Sequence, residues 1–287
     1  MSTLPRLNAV IGALEKGLPA FTTFSPPNIA AAIATSTSPY DGVVFEMEHN
    51  PWNPETLRDC LQYMLSRGQI AAAGSLAPAV TPMVRIPPNG SELAQWQAKQ
   101  ALDLGVYGVV WPHVSTAEEA YNAVAACRYP RQPEASLYEP RGLRGDGPTG
   151  ALRYWGLSQQ DYYKKADVWP LNPEGEIIVI VMIEDSTGIG NLPEILKTVP
   201  GIGAILIGEG DLSQELGYPR QYDHPVVAGA MAEIVNICKS HDVPVGHPHV
   251  NEGNVEQVLE QGYRFLMVGA ERTTKGLMKG LKLTGRS

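Results

Sequence analysis

The chain has 287 residues, 44% of them hydrophobic and 18% charged, with a formal net charge of −8 at pH 7. That length accommodates one α/β barrel, and the composition is that of an ordinary globular protein. The acidic balance and the lack of any basic run of five or more argue against nucleic acid as a partner; no apolar stretch reaches the ~18 residues that span a bilayer and no signal-type segment opens the chain, so a cytoplasmic protein is expected.

From the N-terminus, β-rich apolar runs fall at residues 20–24, 42–48, 82–87, 108–112, 177–184, 204–208, 244–247 and 265–269. Helical spacing links Leu57, Leu61, Met64 and Leu65 after the second run, and Leu93, Trp96, Ala101 and Leu102 after the third. Ser115-Thr116-Ala117-Glu118-Glu119 opens the next helix with capping-box character. The runs are continuously apolar rather than alternating, as buried parallel strands are. Eight such β/α units in this length predict a single-domain (β/α)8 TIM barrel over residues 1–287. The exception is a Pro/Gly/Tyr-rich insert at about 131–173, where only residues 158–166 read as helical; long inserts after barrel strands are usually functional. Cys60, Cys127 and Cys238 lie far apart in helix-like stretches and read as buried thiols, not as a zinc site or disulfide framework.

In such a barrel the residues that end the strands meet at one mouth. The second run ends Glu46-Met47-Glu48-His49-Asn50-Pro51, where a carboxylate beside a His would raise its basicity and suit it to work as a base. The bland alternative is a loop-capping His. Arg85 stands between apolar residues in the third run, so it either pairs with an internal carboxylate or faces the mouth to bind an anion. Glu184 and Asp211 each close a run, and two carboxylates converging there suggest a divalent cation held by oxygen ligands. Asp211 could instead cap a helix, whereas Glu184 still belongs to its strand and has no helix end to serve. Gly208 and Gly210 would let the backbone approach a ligand. His247 and His249 after the seventh run could chelate a metal, contact substrate or carry loop hydrogen bonds; His113, after Trp111-Pro112, shares that ambiguity.

As an ordered set, several fragments resemble the HpcH/HpaI family of class II, metal-dependent pyruvate aldolases. They are Glu48-His49-Asn50-Pro51, Val84-Arg85-Ile86-Pro87, Leu102-Asp103-Leu104-Gly105, Thr116-Ala117-Glu118-Glu119-Ala120, Arg128-Tyr129-Pro130, Arg141-Gly142-Leu143-Arg144-Gly145, Ile183-Glu184, Asn191-Leu192 and Gly208 followed by Asp211-Leu212-Ser213. The resemblance implies a TIM barrel, commonly in a homo-oligomer of hexameric form, that splits a 4-hydroxy-2-oxo acid into pyruvate or a close 2-oxo acid plus an aldehyde through an enolate. It implies a divalent ion on Glu184 and Asp211, with Mg²⁺ first in line and Mn²⁺, Co²⁺ or Zn²⁺ as alternatives. His49 would be the base, Glu46 and Asp103 the carboxylates that support it, and Arg85 the partner of the enolate. The backbone at Gly210 and Asp211 would hold the pyruvate carboxylate. Three positions depart from the family. Met182 replaces a substrate-contacting Gln, Glu209 replaces a Pro, and Glu46 stands where Asp is common, so the donor need not be plain pyruvate. Two other readings keep the barrel: chemistry on acyl-CoA or a citrate-synthase-like condensation, and a non-catalytic metabolite-binding paralogue. The first lacks an evident basic pocket for CoA phosphates.

Overall fold

Each expected run forms a strand in a computed structural model that describes residues 5–87, 92–268 and 274–286. The strands are β1 (Ala20–Ser25), β2 (Gly42–Glu46), β3 (Thr81–Arg85), β4 (Gly108–Trp111), β5 (Val168–Trp169), β6 (Ile177–Ile183), β7 (Ala204–Ile207), β8 (Val245–Val250) and β9 (Phe265–Val268). All neighbours are parallel, and the order β1-β2-β3-β4-β6-β7-β8-β9 closes through a β9–β1 pairing. Gly269, the expected end of the last run, lies outside the described residues. Strand β5 is a two-residue addition beside the start of β6, with Val168 opposite Ile177. The architecture is therefore a closed eight-stranded (β/α)8 barrel, with 13 helices among the described residues.

Alternation along the strands sorts side chains between two cores. Val44, Met83, Val110, Ile178, Ile180, Met182, Leu206, Phe265 and Met267 fill the barrel, while Val43, Phe45, Val84, Val109, Val179 and Val181 meet the helices. The helix Ala9–Leu14 sends Val10, Ile11 and Leu14 into the inner core. Its N-cap Asn8 donates to the carbonyls of Tyr107 and Glu176, the residues just before β4 and β6. The N-terminal end of the barrel is thereby plugged, and the C-terminal mouth is left for chemistry.

The insert holds two helices, Thr149–Trp155 and Gln159–Lys165, where the sequence suggested only the second. Pro148 and Gly150 weaken the local helical signal. Packing overrides it: the buried Trp155 ring stacks on Tyr107 at 4.3 Å and its indole N–H donates to the Gly105 carbonyl. Gly150 lies so close to the Asp103 carbonyl that a Cβ would come within 2.8 Å. All three cysteines are free and buried, as expected. No helix among the described residues is long and apolar enough to cross a membrane.

Candidate active site

Three strand ends bring acidic side chains to the mouth. Glu184 follows β6 and is 4% exposed. It is not a helix cap, because Asp185 takes that role for the helix Ser186–Thr198 by accepting from the Gly188 amide at 2.6 Å. Asp211 sits in the first turn of the helix Glu209–Glu215, whose N-cap is Gly208, and its side chain makes no capping hydrogen bond. The plain-cap alternative for Asp211 is thus not what the structure holds. Gly208 matters sterically: a Cβ there would run into the Glu184 carboxylate.

His113 joins this pair from the loop after β4. Its backbone is left-handed, with φ at 54°, a conformation uncommon outside glycine. Two hydrogen bonds hold it there. The His113 amide donates to Glu184 Oε1 at 2.7 Å, and the Val114 amide donates to the Met182 carbonyl at 3.2 Å. The ring then lies with Nδ1 4.0 Å from Glu184 Oε1 and with Nε2 3.7 Å from Asp211 Oδ2 and 3.5 Å from Glu48 Oε1. One ligand atom each from His113, Glu184 and Asp211 falls within 4.8 Å of the others, the single such group of metal-ligating side chains among the described residues.

The electrostatics follow from burial and crowding. Burial pushes Glu184 up to about 7, against the pull of the adjacent imidazole. The hydrogen bond to Glu48 raises His113 to about 9, helped by the charges of Glu184 and Asp211. Burial alone would raise Glu48, but the His113 hydrogen bond and the positive charges of Arg85 and the histidines outweigh it and hold the carboxyl below its usual range.

Of the alternatives its sequence posed, Arg85 takes the pairing with internal carboxylates, and does so at the mouth. It lies at the end of β3, 11% exposed, in an ion pair with Glu46 and with Nη1 2.9 Å from Glu48 Oε2. Its guanidinium also stacks over the Phe24 ring at 4.6 Å and sends Nη1 to within 3.8 Å of Met182 Sδ. Glu46 spends its other oxygen on the amides of Glu48 and His49, at 2.8 and 3.1 Å. The carboxylate beside the His49 ring is therefore Glu48, 3.6 Å from Nε2, rather than Glu46. The His49 ring is 67% exposed at the rim.

Two groups stand apart from this cluster. Asp103 lies in the helix Gln95–Leu104, ion-paired with Lys99 and with Arg144 at 3.0 Å, and no described contact joins it to His49. His247 and His249 turn to the outer side of the barrel wall. There His249 pairs with the buried Glu209, and both histidines line a cavity of about 460 Å³ with Tyr222, Met231 and Tyr263. The sequence left His113 open between metal, substrate and loop roles and marked Glu48 only as a neighbour of His49. The available signal was position, since both lie just past a strand end, the same reason that drew attention to Glu184.

The chain is similar to known proteins in sequence and in fold. A family model described as HpcH/HpaI aldolase/citrate lyase matches residues 21–275. A 5-keto-4-deoxy-D-glucarate aldolase of Escherichia fergusonii is 31% identical over 232 residues, 81% of this chain and 78% of the relative. A hydroxypyruvate/pyruvate aldolase of Roseobacter denitrificans is 29% identical over the same shares. Among solved structures, an HpcH/HpaI aldolase/citrate lyase family protein from Burkholderia cenocepacia superposes with a TM-score of 0.74 at 27% identity, covering 96% of this chain and 97% of that one.

Proposed function

The chain belongs to the HpcH/HpaI aldolase/citrate lyase family, and we propose that it is a divalent-metal-dependent aldolase that cleaves or forms a 4-hydroxy-2-oxo acid. The products of cleavage are a 2-oxo acid of the pyruvate type and an aldehyde. The observation that carries this reading is the convergence of Glu184, Asp211 and His113 at the mouth, one strand away from the largely covered Arg85. The donor set fits a small divalent ion: two carboxylates and an imidazole, with room for the Glu184 carboxylate left by the absent Cβ of Gly208. Glu184 and Asp211 would hold the ion, which when bound supplies a Lewis acid toward the 2-oxo group.

The chain's own residues do the rest. His49, at the rim with Glu48 beside it, takes the proton of the 4-hydroxyl. As that O–H bond breaks, the C4 oxygen forms the aldehyde carbonyl, the C3–C4 bond breaks, and its electron pair moves into the 2-oxo acid fragment as an enolate. Arg85 is held in place by Glu46 and Glu48 and by the Phe24 face, so its charge is oriented before the enolate oxygen develops. Protonation at C3 then gives the free 2-oxo acid. The first-turn amides at Gly210 and Asp211 seat the substrate carboxylate; beyond its chain neighbours and its own helix backbone, nothing lies within 4 Å of where a Gly210 Cβ would be. The names of the two relatives support a hydroxylated oxo acid as substrate and a donor of the pyruvate or hydroxypyruvate type.

The test is proton exchange. Protein stripped with chelator and reloaded with Mg²⁺, Mn²⁺, Co²⁺ or Zn²⁺ should exchange the C3 protons of pyruvate or hydroxypyruvate in deuterated water, read by NMR. Glu184→Ala and Asp211→Ala should lose that exchange. Absence of exchange from both oxo acids with every metal would overturn the reading.

A further inference from the structure

Sequence resemblance points to a metal held by two carboxylates, which is an all-oxygen, magnesium-type site. The geometry of the loop after β4 points elsewhere. Resting on the metal-site reading above, we propose that His113 is a third protein ligand. Its nitrogen gives the centre a preference for a late first-row ion, such as Co²⁺ or Zn²⁺, over Mg²⁺.

Three independent features aim His113 at the site. The first is the backbone: a non-glycine residue in the left-handed region costs of order 1 kcal/mol, and here it is held by bonds to Glu184 and Met182 on the neighbouring strand β6. The second is the ring position, 3.7 Å from Asp211 and 4.0 Å from Glu184. One donor atom from each of the three side chains lies within 4.8 Å of the others, and adjacent donors around a first-row ion, at bond lengths of about 2.0–2.2 Å, stand roughly 3 to 3.5 Å apart, so the side chains need to close by only about 1–2 Å. The third is Glu48, 3.5 Å from Nε2 and itself anchored by Arg85 at 2.9 Å. A carboxylate on the far nitrogen of a ligating histidine fixes its tautomer and strengthens it as a donor; with Nε2–H turned to Glu48, the nitrogen left for the ion is Nδ1, on the Glu184 side. Glu48 is thus a positioning residue, with Oε2 held by Arg85 and Oε1 turned to the His113 ring.

The consequence is selectivity. Mg²⁺ favours oxygen donors and keeps its waters, whereas imidazole nitrogen raises affinity along the series toward Co²⁺, Cu²⁺ and Zn²⁺. The same centre without His113 would lose that discrimination.

The experiment uses the full chain, stripped with chelator and titrated calorimetrically with Co²⁺, Zn²⁺ and Mg²⁺, in the wild type, His113→Gln, Glu48→Gln and Glu184→Gln. Wild type should prefer Co²⁺ to Mg²⁺ by about 100-fold or more, and His113→Gln should cut that preference at least about tenfold. Glu48→Gln should weaken Co²⁺ binding about tenfold. Pulsed electron paramagnetic resonance of Mn²⁺-loaded protein should show nitrogen-14 modulation in wild type and Glu48→Gln, and none in His113→Gln. Circular dichroism of each variant confirms that it is folded. If Glu184→Gln abolishes binding while His113→Gln keeps both the preference and the nitrogen signal, the histidine ligand is overturned and the metal site stands. If Glu184→Gln binds as wild type does, the metal site itself is misplaced.

Discussion

The amide of His113 donates to Glu184 Oε1 at 2.7 Å, tying the loop after β4 to the end of β6 across one strand boundary. That bond fixes one oxygen of Glu184 and leaves the other, Oε2, against the backbone of Gly208. The Glu184 carboxylate is therefore held at one oxygen by a main-chain amide and given room at the other by a glycine.

Gly208→Ala isolates that positioning. Gly208 has φ −89° and ψ 73°, which alanine tolerates, so the substitution adds a methyl group without demanding a glycine-only backbone. The methyl displaces the Glu184 carboxylate. Metal affinity should fall about 10- to 100-fold, as expected when a ligand's support is lost, with an unchanged circular dichroism spectrum. Calorimetric titration checks this, and wild-type affinity in the alanine variant would refute the steric argument.

Arg85 separates charge from shape. Arg85→Lys keeps a cation but loses the planar fork that spans Glu46 and Glu48. Its kcat/KM should fall about 100-fold, in line with loss of one aimed oxyanion partner. Arg85→Met removes the cation and strands two largely buried carboxylates, which should cost about 3 kcal/mol in urea unfolding at pH 7. Equal stability of Arg85→Met and wild type would mean that Glu46 and Glu48 are satisfied by solvent.

The barrel was legible in the sequence because continuous apolar runs and strand-end positions are one-dimensional properties. Glu184 and Asp211 stood out for the same reason. What the chain order hides is which loops lean together. Glu48 and His113 are 65 positions apart in sequence, and only the closed barrel brings them within 3.5 Å. Glu46 illustrates a subtler limit: the family resemblance implied that it supports His49, but its carboxylate is taken by Arg85 and by two backbone amides. The helix Thr149–Trp155 was masked by Pro148 and Gly150 and exists because Trp155 has a ring to stack on.

Met182 faces the inner core just below Glu184 and touches Arg85 through its sulfur, where the family resemblance puts a substrate-contacting Gln. Met182→Gln supplies an amide donor and acceptor at that point. The KM for pyruvate should fall about three- to tenfold, the value of one neutral hydrogen bond, and the ratio of activities on pyruvate and hydroxypyruvate should change. Steady-state kinetics on both donors decide it; unchanged KM values for both would show that position 182 does not meet the donor.

The last prediction concerns pH, and its sign follows from two raised groups. Burial lifts Glu184 from 4.5 to about 7, so the folded protein retains a proton that the unfolded chain has released. Its contribution to stability is full below pH 4.5 and is lost as pH rises toward 7. The hydrogen bond to Glu48 lifts His113 from 6.5 to about 9, so its contribution is full below 6.5 and is lost as pH rises through 9. Both act in the same direction, opposed below pH 6.5 by His247, whose burial favours the neutral ring, and Glu184 and His113 should make metal-free protein less stable as pH climbs toward 9. Glu184→Gln removes the lower part of that slope, and the difference between the two unfolding curves should be on the order of 2–3 kcal/mol between pH 5 and pH 8. A divalent ion reverses the trend, because it competes with the same protons. Affinity should rise steeply from pH 5.5 to 7.5, with proton uptake by buffer on binding, measured by calorimetry in buffers of different ionisation enthalpy. A pH-independent affinity would show that Glu184 is ionised throughout and that its burial is offset by a partner other than the metal.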